Sequence, residues 1–146
     1  MKDKEIVIRN AATADYDRII SVMTSWWGGR DLTALLQELF LEHFTDTCFV
    51  VEKDGELVGF LVGFLSQSRA DEAYIHFVGV HPDFRKEKIA TALYERFFDI
   101  CKRHGRAVVR GCTSLVNTGS AAFHERMGFH VERGPHKFYF TKRLKN

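Results

Sequence analysis

Proline and cysteine are scarce in this chain, with two and three residues in 146, and neither one charge sign nor apolar residues run unbroken for long. Each scarcity excludes something. Two prolines among eleven glycines leave no room for a collagen-like or linker-dominated chain. Cys48, Cys101 and Cys112 are odd in number and each lies in an apolar segment. They make no disulfide framework and read as buried free thiols of a reducing compartment. The longest apolar run, Leu57–Leu65, is broken by Gly59 and Gly63, far short of the roughly 20 residues a membrane span needs. Lys and Arg number 21 against 19 Asp and Glu, a net +2. That balance is too even for a general nucleic-acid binder, which draws its affinity from many phosphate contacts. Met1-Lys2-Asp3-Lys4-Glu5 mixes both signs and shows no secretory leader pattern, so a cytoplasmic location is expected. Cys101 and His104 stand three apart with no second pair at zinc spacing, and no metal is expected.

What is present is a core. Hydrophobic residues make up 45% of the chain, thirteen of them Phe, with two adjacent Trp. A chain of this length buries roughly 68–70% of its unfolded surface as one domain, and residues 1–146 are expected to form a single one.

The patterning places the elements. Ile6–Arg9 reads as a strand. Thr13 offers a hydroxyl cap to a helix carrying Tyr16, Ile19, Ile20 and Met23, which stops at Gly28-Gly29. Asp31 caps a second helix with Leu32, Leu35, Leu36, Leu39 and Phe40 on one stripe. Thr47–Lys53, Glu56–Ser66 and Ala73–Val80 form an antiparallel meander, with Asp54-Gly55 as its first turn. Gly59 and Gly63 in Gly59–Phe64 allow close approach in a sheet strand. The aromatic signature of RNA-recognition domains is absent there, since the basic first residue is missing. Ile89, Leu93, Phe97 and Cys101 then recur every four residues in the clearest helix. Ala107–Thr113 is a strand, Ser120–Met127 a short helix, and His130–Arg133 and Lys137–Lys142 closing strands. The order β-α-α-β-β-β-α-β-α-β-β predicts an α/β fold, one mixed sheet with helices on both faces.

The stretch richest in chemistry is Val78–Ala90. A strand ends, a turn carrying Arg85, Lys86, Glu87 and Lys88 follows, and a long helix begins at Ile89. The first N–H groups of a helix lack intrahelical partners and sit at the positive end of its dipole, an arrangement that binds phosphate. By spacing alone this is as well read as a solvated helix start.

Two motifs resemble those of the GNAT superfamily of acetyl-CoA-dependent N-acetyltransferases. Arg85-Lys86-Glu87-Lys88-Ile89-Ala90 is similar to the family's Gln/Arg-x-x-Gly-x-Gly/Ala, with Lys88 where the family has Gly. Asn117 followed by Ala121–Phe129 resembles its Asn…Ala…Phe-Tyr-Glu-Lys-x-Gly-Phe segment, with Phe123 kept and His124 in place of Tyr. The resemblance implies a GNAT fold with acetyl-CoA as co-substrate. It implies pantetheine pairing with Val78 and Val80 around a bulge at Gly79, and pyrophosphate on the amides from Lys86 to Ala90. It implies the Val78 amide as oxyanion donor and His124 as acid for the departing thiolate. His124 reads equally as a half-exposed helix residue touching the cofactor. His76, on one face with Tyr74 by strand alternation, is the candidate base, and equally a hydrogen-bonded structural histidine. Trp26, Trp27 and Arg30 join the first two helices, where GNAT folds wall the acceptor site. Two adjacent Trp on one helix cannot both face a core, so one is expected to line a pocket or interface, with Tyr74 as a further acceptor contact. The implied partner is a small-molecule amine, with a homodimer open. A non-catalytic acyl-CoA sensor and a protein N-acetyltransferase remain as alternatives.

Overall fold

The computed structural model describes residues 6–145, apart from the side chains of Lys86 and Glu87. Met1–Glu5, read above for a leader, and Asn146 lie outside the described residues. The elements are β1 (Ile6–Asn10), α1 (Tyr16–Trp26), α2 (Leu39–His43), β2 (Cys48–Lys53), β3 (Glu56–Leu65), β4 (Glu72–Val80), α3 (Ile89–Arg103), β5 (Val108–Ser114), α4 (Thr118–Arg126), β6 (His130–Arg133) and β7 (Lys137–Arg143). This is the expected order. The seven strands form a mixed sheet in the order β1-β2-β3-β4-β5-β7-β6, parallel between β4 and β5. Two compact units divide the chain: Met1–Gly63 with Phe77–Phe97, and Phe64–His76 with Phe98–Asn146.

In the first unit Asp54 (φ 54°) and Gly55 (φ 79°) close the β2–β3 hairpin, the two positive dihedrals that a two-residue turn of this hand requires. Ile19, Met23 and Trp26 of α1 pack with Leu36 and Leu41 onto Cys48, Val50, Leu57, Phe60 and Val62. Ile89, Leu93 and Phe97 of α3 are buried at their predicted spacing. Ile89 approaches β3 closely where Gly59 has no side chain: a Cβ there would lie 2.8 Å from Ile89 Cγ2.

Two local expectations fail for tertiary reasons. The second helix is not one stripe but a 3₁₀ turn at Thr33–Leu35, an extended Leu36, and α2. The Tyr16 hydroxyl donates to the Leu36 carbonyl at 2.9 Å, a bond no continuous helix would leave free. Leu36 is buried, while Leu35 and Leu39 face solvent. Asp31 lies one residue before the cap position, held by Leu32, and its carboxylate accepts from the Thr33 N–H at 3.1 Å. The cap before α1, however, is Asp15 and not Thr13. Its carboxylate accepts the Ala12 N–H at 2.8 Å and a bidentate pair from Arg9, both at 2.9 Å. Arg9 and Arg18 also reach Glu52, at 2.9 and 3.0 Å. Arg9 foremost holds the buried Asp15 carboxyl below the ordinary carboxylate range.

In the second unit β4 pairs with β5 from Glu72↔Val108 to Tyr74↔Arg110, and β7 lies between β5 and β6. Arg106 Nη1 donates to the carbonyls of Ser66, Arg69 and Glu72 at 2.7, 3.1 and 2.9 Å, closing the turn into β4. Cys101 is buried in this unit and Cys48 in the first, and burial pushes their thiols up to about 12 and about 11. Cys112 departs from the expected buried thiol: it is half-buried, with Sγ 3.2 Å from the Tyr74 hydroxyl. Among the described residues no helix is long and apolar enough to cross a membrane.

Candidate active site

The turn that follows β4 lies wholly in the first unit. His81 caps a 3₁₀ segment, Pro82–Glu87, by accepting the Asp83 N–H on Nδ1 at 3.1 Å. Lys88 ends that segment in the left-handed region, at φ 60° and ψ 26°. Its carbonyl then accepts the first bond of α3, from Ala92 N at 3.1 Å. The N–H groups of Ile89, Ala90 and Thr91 thus open the helix without intrahelical partners. The departure from Gly at this position has a backbone meaning. A residue there must turn left-handed, which costs a Lys about 1–2 kcal/mol. Its side chain is exposed.

Arg85 is exposed but reaches back to main chain. Its Nη2 donates to the Trp26 carbonyl at 2.7 Å and its Nε to the Val80 carbonyl at 3.2 Å. Gly79 is needed by aromatic packing: a Cβ on it would stand 2.5 Å from Trp27 Cη2 and 2.7 Å from Phe60 Cε1. The absent side chain makes room for rings, which gives this glycine a reason other than the expected bulge. Both tryptophans reach those rings, Trp26 from within the core and Trp27 from its edge. Trp26 stacks on Phe60 with centroids 5.9 Å apart; Trp27 lies 6.1 Å from Phe60 and 5.1 Å from Phe77. The helix ends at Trp26, and Trp27 (φ −107°, ψ 29°) has left helical geometry, so the 100° rotation between neighbours no longer applies. Trp27 stays half-buried and Arg30 is exposed.

Strand β4 breaks strict alternation just before this turn. Tyr74 stacks on Phe64 at 5.5 Å, and Phe77 on Phe60 at 6.3 Å. Phe60 and Phe64 lie four apart and share a face of β3, whereas Tyr74 and Phe77 lie three apart. The alternation therefore shifts by one residue between Tyr74 and Phe77.

The remaining candidates lie in the second unit. Tyr74, read as an acceptor contact, is stacked and bonded to Cys112; burial first, and then Cys112, raise its hydroxyl well above the ordinary tyrosine value. His76 is half-buried in β4. Asn117 caps α4, accepting from Ser120 N at 3.2 Å and donating to Thr113 Oγ1 at 3.3 Å. Phe123 is half-buried and edge-on to His124 at 5.5 Å. His124 is a core residue, 7% exposed and stacked on Phe140 with centroids 3.8 Å apart. Its Nδ1 donates to the Ser120 carbonyl at 2.7 Å. Burial lowers its pKa, against the opposing pull of that carbonyl, so the imidazolium an acid would need is disfavoured. This corrects the expectation of a half-exposed helix residue at His124. The side chains of Lys86 and Glu87, two of the expected cofactor contacts, lie outside the described residues. Among the described residues no group of three or more His, Cys, Asp or Glu could hold a metal ion.

The model of the acetyltransferase (GNAT) family matches residues 15–129. An uncharacterized N-acetyltransferase of Methanocaldococcus jannaschii is 28% identical over 138 residues, covering 86% of this chain and 61% of its own. The L-2,4-diaminobutyric acid acetyltransferase of Nocardia farcinica is 31% identical over 101 residues, 66% of this chain and 52% of its own. The chain thus spans between half and two thirds of the length of these relatives. Among solved structures, diaminobutyrate acetyltransferase of Paenibacillus lautus, in complex with its substrate and coenzyme A, superposes with a TM-score of 0.75. It covers 99% of both chains at 20% identity, a likeness of fold.

Proposed function

The chain belongs to the acetyltransferase (GNAT) family, and from that premise we propose that it transfers the acetyl group of acetyl-CoA to a primary amine of a small molecule. The observation that carries this reading is the left-handed Lys88 at the family's glycine position, which opens α3 on the N–H groups of Ile89, Ala90 and Thr91. A diphosphate docks on such amides through hydrogen bonds and the helix dipole. The exposed Lys88 ammonium adds charge beside them. The pantetheine amides run along the main chain of Val78 and Val80.

In this reading the amine nitrogen attacks the thioester carbon, and the Val78 N–H donates to the oxyanion that forms. Collapse breaks the C–S bond, the amine's proton passes to His76 directly or through water, and the thiolate leaves. An ordinary thiol has a pKa of about 8.5, so the thiolate can depart without a dedicated acid and take its proton from solvent. His124, packed on Phe140 with its charged form disfavoured, is given no step. The Nocardia relative's name supports an amino-acid-sized amine as acceptor.

His124 and Lys88, which replace the family's Tyr and Gly, leave a second reading, an acyl-CoA-binding module without turnover. Thiol release from acetyl-CoA across a panel of small amines, L-2,4-diaminobutyrate included, and amino-terminal peptides separates the two. Release with a small amine is expected. Tight binding without release from any acceptor would assign the module, and release with peptides alone would make the chain a protein acetyltransferase.

A further inference from the structure

The guanidinium of Arg85 spans two carbonyls of different elements, Trp26 at the end of α1 and Val80 at the end of β4. The last carbonyls of a helix have no intrahelical donors and form the negative end of its dipole, so a cation there gains both a hydrogen bond and a favourable field. Arg85 supplies that cation to α1 from a position 59 residues away. Val80, its other partner, immediately precedes the segment that leads to the open amides of Ile89–Thr91. Ring contacts repeat the link. Trp26 stands edge-on to His81, the cap of that segment, at 5.6 Å, and Trp27 fills the space left by Gly79. The end of α1 and the anion-binding turn are thereby held as one piece.

We propose that Arg85 is a positioning residue that couples occupancy of this turn to the placement of the Trp26–Arg30 segment, and is not itself a ligand of the diphosphate. This rests on the reading that coenzyme A docks on the turn. Two of the five guanidinium donors are engaged by main-chain carbonyls, which fixes the fork's direction toward α1. A ligand that orders the turn pulls on Val80 and His81, and through Arg85 and Trp26 resets the segment where the acceptor is expected.

The chain offers its own reporter. Its only two tryptophans are Trp26 and Trp27, so tryptophan emission reads this segment alone. Coenzyme A is titrated into the wild type, Arg85→Gln and Arg85→Lys, with calorimetry for binding and emission for the coupling, at two salt concentrations. The wild type is expected to bind with a change in emission. Arg85→Gln is expected to bind within about tenfold of wild type, the scale of one lost hydrogen bond to a charged group, with unchanged salt dependence and no emission change. Its acceptor KM rises more than its acetyl-CoA KM. Arg85→Lys keeps the charge but lacks the fork that reaches both carbonyls, so it too loses the emission change; it carries the test if Arg85→Gln fails to fold. Retained emission change in a variant that binds would overturn the coupling alone. A weaker, salt-insensitive affinity in Arg85→Gln that Arg85→Lys restores would make Arg85 a phosphate ligand. No binding by the wild type would overturn the cofactor reading, and the coupling with it.

Discussion

The carboxyl end of β4, in the first unit, and its amino-terminal part, in the second, meet chemistry in opposite ways. Past Val80 the chain offers backbone: three N–H groups at a helix start, set by one left-handed residue and a guanidinium bonded to carbonyls. In the second unit the candidate chemistry is carried by side chains, and most of those are engaged in packing. Tyr74 is bonded to Cys112, Asn117 is spent on a cap, and His124 is sealed against Phe140. The backbone at such a turn can keep its course when a side chain changes, as the left-handed Lys88 shows. A site made of side chains changes its chemistry with each replacement, as His124 does where the family has Tyr.

Four perturbations sharpen that contrast, the largest first. Asp15→Ala removes the carboxylate that two arginines and the Ala12 amide converge on, and should cost the first unit about 3 kcal/mol in urea unfolding. Because the folded pKa of Asp15 lies below its unfolded value of about 3.9, the wild type holds this contribution above that pH and loses it as pH falls through the folded value. The acid limb of the stability curve should therefore flatten in the variant. Gly79→Ala forces a methyl into Trp27 and Phe60 and should cost about 1–3 kcal/mol, with altered tryptophan emission. Emission and stability both unchanged would mean that the rings can move aside. His124→Phe keeps the stack on Phe140 and should stay within about 1.5 kcal/mol of wild type near pH 8. Its pH dependence should differ more. The folded pKa of His124 is lowered, so the wild type has full stability above about pH 6.5 and loses it on acidification, a drop the variant lacks. Maximal acetyl transfer should survive in this variant; its abolition with the fold intact would return His124 to the mechanism. Lys88→Gly relieves the left-handed strain at some cost in unfolded-chain entropy and should stabilise by about 0.5–1 kcal/mol in thermal unfolding.

The element order was legible because each element announces itself locally: Ile89, Leu93, Phe97 and Cys101 by period, Asp54-Gly55 by turn chemistry. The turn and helix start of the proposed anion site were legible too, since a strand–turn–helix pattern places that backbone. The pairings that decide which side chains remain available were hidden, because nothing in the sequence joins Arg85 to Trp26, Asp15 to Arg9 across a turn, or Tyr74 to Cys112. The break at Leu36 was hidden for the same reason: a bond from Tyr16 outweighs a helical stripe. A signal for the left-handed turn did exist, in Lys88 standing where the family has Gly. Its conformational meaning was not drawn from the sequence, because a Lys at that place does not itself announce a positive φ.

The most direct test of the anion site is residue-resolved. Coenzyme A titrated into ¹⁵N-labelled protein should shift the amide signals of Ile89, Ala90 and Thr91 most, with Val78 and Val80 following, and leave those of the β6–β7 hairpin in place. Saturable binding that leaves the signals of residues 89–91 unmoved would contradict the account.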